Sequence, residues 1–179
     1  MPYPAPAASV TAAGASFALW YSLDTFFDGT YAVIVKPIVI DTNVFVSALR
    51  AKDASAGAAR ALLRAALTGR YKPLFGNALW LEYEDMLGRS VWTESTTHEE
   101  RLHVLRALAE AGCWVSIYYG WRPNLPDEGD NHLIELAVAG NALAIVTYNV
   151  KDLRRGQLAW PRLRILTPAE CLEELSWAP

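Results

Sequence analysis

The sequence predicts an α/β/α sandwich built around a central, mostly parallel sheet of about five strands. Three observations predict it. From Pro37 onward, strand-like and helix-like segments alternate along the chain. The strand segments are near-continuous apolar runs, as expected where both faces of a sheet are covered by helices. Acidic residues recur just beyond those runs, at the end of a parallel sheet where ligand-binding loops gather.

Each element has a local reason. "PIVID" (37–41) is β-branched and apolar and closes on Asp41. "ASAGAARALLRAAL" (54–67) combines strong helix formers with apolar residues at helical spacing, and Gly69 closes it. "YKPLFG" (71–76) is a short strand leading to Asn77, the expected N-cap of "ALWLEYEDMLGR" (78–89). Thr97 and Glu100 form a capping box that opens "HEERLHVLRALAEAG" (98–112). "WVSIYY" (114–119) has the aromatic and β-branched content of a strand. "LPDEGD" (125–130) turns into the helix "NHLIELAVAG" (131–140), and "ALAIVTY" (142–148) is a buried strand. "LRILT" (163–167) is the last strand, with Thr167, Pro168 and Glu170 at N-cap, N1 and N3 of the final helix.

The chain of 179 residues, 53% hydrophobic, is sized for one domain with a core of its own. Sixteen basic against nineteen acidic residues give a net charge of -3, which excludes a global field of the kind that draws proteins onto nucleic acid and makes any such contact local. Cys113 and Cys171 have neither the density of a disulfide scaffold nor the spacing of a zinc site, and read as reduced residues of a cytoplasmic protein. "FALWYSLDTFF" (17–27) is interrupted by Asp24 and is too short to span a bilayer, so no membrane association is expected. Residues 1–34 contain no Lys or Arg, whereas "VKPIVIDTN" reads like a natural beginning with Val35 as initiator. Two parts follow: an extension over 1–34, disordered or from a misassigned start, and a domain over 35–179.

The chemistry is carried by acids brought to one sheet edge. Asp41 follows the first strand, Asp130 opens a helix between strands, and Asp152 lies just past the strand "LAIV". Glu82 can join them from the helix whose inner face carries Leu79, Tyr83 and Met86; Glu84 lies about 200° around that helix and cannot share the place. Singly, Asp41 and Asp130 could be helix caps and Glu82 a solvated side chain. Together they repel, by roughly 4 kcal/mol per pair at 4 Å and an effective dielectric of 20, unless protons or cations compensate. Oxygen ligands without His or Cys suit a hard cation, Mg²⁺ or Mn²⁺. Thr42, Asn43, Thr147 and Asn149 add hydroxyl and amide groups without charge. Lys151, Arg154 and Arg155 in "KDLRR" are the candidate phosphate contacts, against the alternative of a solvated loop. Tyr119 and Trp121, with Arg122 beside them, are candidates for stacking bases, against the commoner closure of a core. His98, His103 and His132 read as solvated helix residues.

"VIDTNVFVSAL", "LWLEYEDML", "DEGDNHLIELA" and "IVTYNVKDL" resemble, in that order, the motif blocks of PIN-domain nucleases, a family containing many toxins of bacterial toxin–antitoxin pairs. The resemblance covers roughly residues 36–170. It implies that Asp41, Glu82, Asp130 and Asp152 hold Mg²⁺ or Mn²⁺ and cleave single-stranded RNA, with Asn43, Thr147 and Asn149 as polar support. It also implies an antitoxin covering the acidic edge. Many members carry Asp where Asn149 stands; a branch with a "TxNxxD" pattern is closer and places the last acid at Asp152. Homodimerisation through the helices "ARALLRAAL" and "RLHVLRALA" is a further expectation. Two other readings compete. A haloacid-dehalogenase-type phosphatase also starts with Asp after a strand but needs a second Asp where Asn43 stands, and an eroded PIN-like module would keep the fold without catalysis. No P-loop pattern occurs.

Overall fold

In the computed structural model, residues 36–50, 56–89, 91–92, 96–120, 122 and 124–175 are described, all within the compact unit Val35–Pro179. The expected extension over residues 1–34 lies outside them. Five strands form one sheet: β1 (Lys36–Ile40), β2 (Tyr71–Phe75), β3 (Cys113–Trp114), β4 (Ala144–Val146) and β5 (Arg164–Leu166). Their order is β3-β2-β1-β4-β5, and every pairing is parallel. Ile38, Val39 and Ile40 lie opposite Ala144, Ile145 and Val146, and all six are buried, which explains the uninterrupted apolar runs.

The helices are α1 (Thr42–Leu49), α2 (Ala56–Leu67), α3 (Asn77–Gly88), α4 (His98–Ala111), α5 (Asn131–Ala139), α6 (Val150–Leu153) and α7 (Pro168–Glu174). Both expected capping boxes form, Thr97 with Glu100 and Thr167 with Glu170. The apolar face of α2 is spent on the core through Ala59, Leu62, Leu63 and Ala66. Among the described residues no helix is long and apolar enough to cross a membrane.

One helix was not anticipated, and two local expectations are corrected. The segment after Asp41 is helical, because Val44, Phe45, Val46 and Ala48 of α1 are buried and this burial outweighs the weak helix propensity of β-branched residues. Gly76, not Asn77, caps α3: Ile117 Cδ1 and Leu136 Cδ1 would stand 3.2 and 3.3 Å from a Cβ there, so the crowded cap position favours glycine and Asn77 becomes the first helical residue. "WVSIYY" contributes only Trp114 to the sheet; after Val115 N–H donates to Phe75 O (2.8 Å) the ladder stops, and the chain leaves as a loop.

This topology determines where a site can lie. The chain builds β1, β2 and β3 toward one side and β4 and β5 on the other, so the strand order reverses between β1 and β4. Ligands of open parallel sheets bind outside the carboxyl ends of the strands at that reversal. Asp41 and Thr147 are the first residues beyond β1 and β4.

Candidate functional site

Asp41 is buried and caps α1: its Oδ1 accepts from Asn43 N–H (3.1 Å). Its Oδ2 accepts from the Thr147 hydroxyl (2.6 Å) and the Asn43 amide (2.7 Å). Thr147, fully buried, also accepts from Asn43 Nδ2 (3.1 Å) and Asn149 N–H (2.8 Å). Asn43 Oδ1 takes Tyr148 N–H (3.2 Å), and Asn149 Nδ2 reaches Asp130 Oδ2 (3.4 Å). Asn43, Thr147 and Asn149 thus link the end of β1 to the end of β4 and onward to Asp130.

Glu82 arrives from α3. The turn that carries it is fixed by Tyr83, whose buried hydroxyl donates to Ile40 O (2.5 Å), the carbonyl just before Asp41. The exposed Glu84 faces away, while Glu82 is half-buried. Of the expected inner face, Leu79 and Tyr83 are buried, with Leu87 beside them and Met86 partly exposed.

Three acids feel one another. Burial pushes the Asp41 carboxyl up, its bonds to Thr147 and Asn43 hold it down, and the charges of Glu82 and Asp130 raise it further. Burial likewise raises Asp130, with Asp127 and Glu82 adding to the effect and His132 and Asn149 easing it. Asp152 stands on the next helix beyond β4. It lies partly exposed on α6 and pairs with Arg155 at 3.6 Å.

His132, expected to be solvated, is buried inside the site. Its Nδ1 lies 2.7 Å from Gly129 O and its Nε2 3.2 Å from Glu82 Oε2. A carbonyl only accepts, so Nδ1 carries a proton, and Nε2 facing a carboxylate favours a second one; the geometry selects the imidazolium. The directions agree. Contact with His132 lowers Glu82, and although burial pulls His132 down, Glu82, Gly129 and Asp41 together lift it above its ordinary value. The sequence held one signal for this residue. Residues 131–137 of α5 are all buried, so its polar members need partners: Asn131 Oδ1 accepts Leu125 N–H (3.0 Å), His132 meets Glu82, and Glu135 pairs with Arg122 (3.1 Å).

The His132–Glu82 pair dictates a pH window. Glu82, lowered, adds stability that is present above its ordinary 4.5 and lost as pH falls through its folded value. His132, raised, adds stability that is present below its ordinary 6.5 and lost as pH rises through its folded value. The melting-temperature difference between the natural protein and His132→Gln is therefore expected to peak between pH 4.5 and 6.5 and shrink on either side. A difference constant from pH 4 to pH 9 would refute the pairing.

The donor set has the chemistry of a hard divalent cation's ligands: the carboxylates of Asp41 and Asp130, each raised by burial and by the charge of Glu82, and Glu82 itself, whose Oε2 faces His132. The fit is not preassembled. Among the described residues no three His, Cys, Asp or Glu side chains are already grouped to hold an ion. Of the cationic candidates, Lys151 is exposed, Arg154 donates to Ile165 O (2.8 Å), and Arg155 holds Asp152. Trp121 lies outside the described residues, and Arg122 is engaged by buried Glu135.

A family model described as PIN domain matches residues 37–151. No curated protein matches the chain. Among solved structures, the crystal structure of VapBC2 from Rickettsia felis bound to a DNA fragment from their promoter is similar at 15% identity, covering 72% of this chain and 96% of that one, with a TM-score of 0.48.

Proposed function

The chain belongs to the PIN domain family, and from that premise we propose that it is a metal-dependent endoribonuclease acting on single-stranded RNA, the toxin of a toxin–antitoxin pair. The observation that supports the reading is the placement of Asp41 at the carboxyl edge where strand order reverses, tied through Thr147 and Asn149 to Asp130 and close enough to Glu82 for that charge to raise both. Such a cluster is costly unless cations join it; His132 offsets Glu82, and the charge left on Asp41 and Asp130 is what a bound cation would meet.

Asp41, Glu82 and Asp130 would hold Mg²⁺ or Mn²⁺, with Asp152 as the fourth acid of the proposed set. When bound, the cation supplies Lewis acidity toward a phosphoryl oxygen and makes water a stronger acid. Thr147 and Asn43 fix the rotamer of Asp41, each through a bond to its Oδ2. Asn149 holds Asp130 through its amide, and His132 restrains Glu82. Lys151 on α6, with Arg154 and Arg155 just past its end, stands beyond β4, where the three would steady the phosphates on either side of the scissile bond. Any carboxylate left free of the ion can accept a proton from the attacking water.

The toxin assignment rests on the order of the four motif blocks. A second reading, an eroded PIN module that binds without cutting, is favoured by Asn149, which offers Asp130 an amide where many members carry an acid. One experiment separates them. The purified chain is incubated with end-labelled single-stranded RNA, duplex RNA and single-stranded DNA, in Mg²⁺, in Mn²⁺ and in excess chelator. Cation-dependent cutting of single-stranded RNA supports the nuclease; calorimetric binding of Mn²⁺ without cutting, or cutting indifferent to chelator, overturns it. Growth arrest on expression, relieved by the neighbouring small open reading frame, tests the toxin.

A further inference from the structure

The loop that follows β3 carries two side chains for which the fold has no use. All strands run parallel, so this loop leaves the sheet at the same carboxyl edge as Asp41 and Thr147, and it leads on to the turn Glu128–Asp130. It is pinned along its length. Val115 is buried and hydrogen-bonded to Phe75 O (2.8 Å). Ile117 packs where a Gly76 Cβ would be 3.2 Å from its Cδ1, in the seam between α3 and α5. Gly120 lies so close to α5 that a Cβ there would be 3.2 Å from Glu135 Oε1, and Arg122 closes the strap with its ion pair to that buried carboxylate (3.1 Å).

Between these anchors, Tyr118 is 85% exposed and Tyr119 77%. Neither makes a hydrogen bond, ion pair or ring contact with another described residue. Two adjacent bare rings contribute nothing to folding, yet the backbone beneath them is fixed at both ends. Solvent-facing aromatics on an anchored backbone suit flat partners, and every nucleobase offers a π face. Around the two rings Ser116, Gly120 and Arg122 are exposed, and Trp114, at the end of β3 before them, is itself 49% exposed, so the surface there is aromatic and polar and carries no fully exposed aliphatic side chain between Val115 and Gly120. A net-acidic chain with an acidic site also needs attraction that does not depend on phosphate charge.

We propose that Tyr118 and Tyr119 form a stacking platform for unpaired bases of the RNA held across the acidic edge. The inference rests on the ribonuclease reading and deepens it: a duplex hides its base faces, so the platform selects single strands. Tyr118→Ala, Tyr119→Ala and the Tyr118→Phe/Tyr119→Phe double variant are made in an Asp41→Asn background to prevent cutting. Binding of a fluorescein-labelled 12-nucleotide RNA and of a matching abasic strand is followed by anisotropy over a salt series. Each Ala substitution is expected to weaken RNA binding by roughly 5- to 100-fold, the range of one lost base stack, with the salt slope unchanged. The Phe variant should bind like its parent, and all variants should bind the abasic strand equally. Equal binding of RNA by parent and Ala variants overturns the platform while leaving the nuclease standing. If the natural protein neither binds nor cuts the RNA, both readings fall, and loss of antitoxin binding with RNA affinity unchanged would reassign the rings to a protein interface.

Discussion

Asp41→Asn is expected to lower cation-dependent RNA cleavage by about a thousandfold or more, with the fold intact. The size follows from the several kcal/mol of transition-state charge stabilisation that a correctly held cation provides, since each 1.36 kcal/mol is about a factor of ten in rate. The change is isosteric and removes one charge. Asn is as good an N-cap as Asp, so the bond from Asn43 N–H that opens α1 survives. The new amide nitrogen cannot accept the bonds that the Thr147 hydroxyl and the Asn43 amide give to Oδ2, and this loss opposes the relief of repulsion from Glu82 and Asp130, so the melting temperature of the cation-free protein should fall while the fold persists. Mn²⁺ should lift that temperature in the natural protein and much less in the variant. Initial rates on a labelled single-stranded RNA and a pair of melting curves check both halves. Full cleavage by Asp41→Asn would remove Asp41 from the chemistry, and an unfolded variant would show that its role is structural.

What the sequence disclosed, and what it withheld, divides by range. Strands β1 and β4 and both capping boxes depend on neighbours a few residues away, so apolar runs and the Thr-x-x-Glu spacing reveal them. The acids Asp41 and Asp130 were legible because a parallel sheet brings its strand ends to one edge. Helix α1 was not legible, since "VFVSAL" has weak local preference and becomes helical only under burial. The end of β3 was not legible either. "WVSIYY" has strand composition, but Ile117 packs against the Gly76 cap, and the chain turns away from the sheet to reach it. His132 escaped because its partner Glu82 stands in another motif on another helix. Side-chain pairs across the core set the site, and one sequence read alone does not display them.

Thr147 is such a pair made indispensable, and Thr147→Val is expected to destabilise the protein by about 2–5 kcal/mol. The hydroxyl has one proton and two lone pairs, and all are used: it donates to Asp41 Oδ2 (2.6 Å) and accepts from Asn149 N–H (2.8 Å) and Asn43 Nδ2 (3.1 Å). Valine keeps the shape and abolishes all three bonds in a fully buried position, 106 residues away in sequence from the carboxylate it serves. Each buried group left unpaired costs roughly 1–3 kcal/mol, and the total is a large share of the 5–15 kcal/mol that holds a typical domain folded. The deficit carries a pH signature. Thr147 holds the Asp41 carboxyl down, so in the Val variant that group rises further above its ordinary 3.8. A raised carboxyl disfavours the folded state once ionised, so stability falls as pH rises from the unfolded toward the folded pKa. The deficit relative to the natural protein should therefore be smallest at acid pH, where Asp41 is protonated in both proteins, and should grow through the carboxylate range to a plateau. Thr147→Ser, which keeps the hydroxyl and loses one methyl, should recover most of the stability and the pH profile. Urea unfolding of the three proteins at several pH values measures this. Equal losses in the Val and Ser variants would mean that the methyl's packing, not the hydroxyl's bonds, is what position 147 contributes.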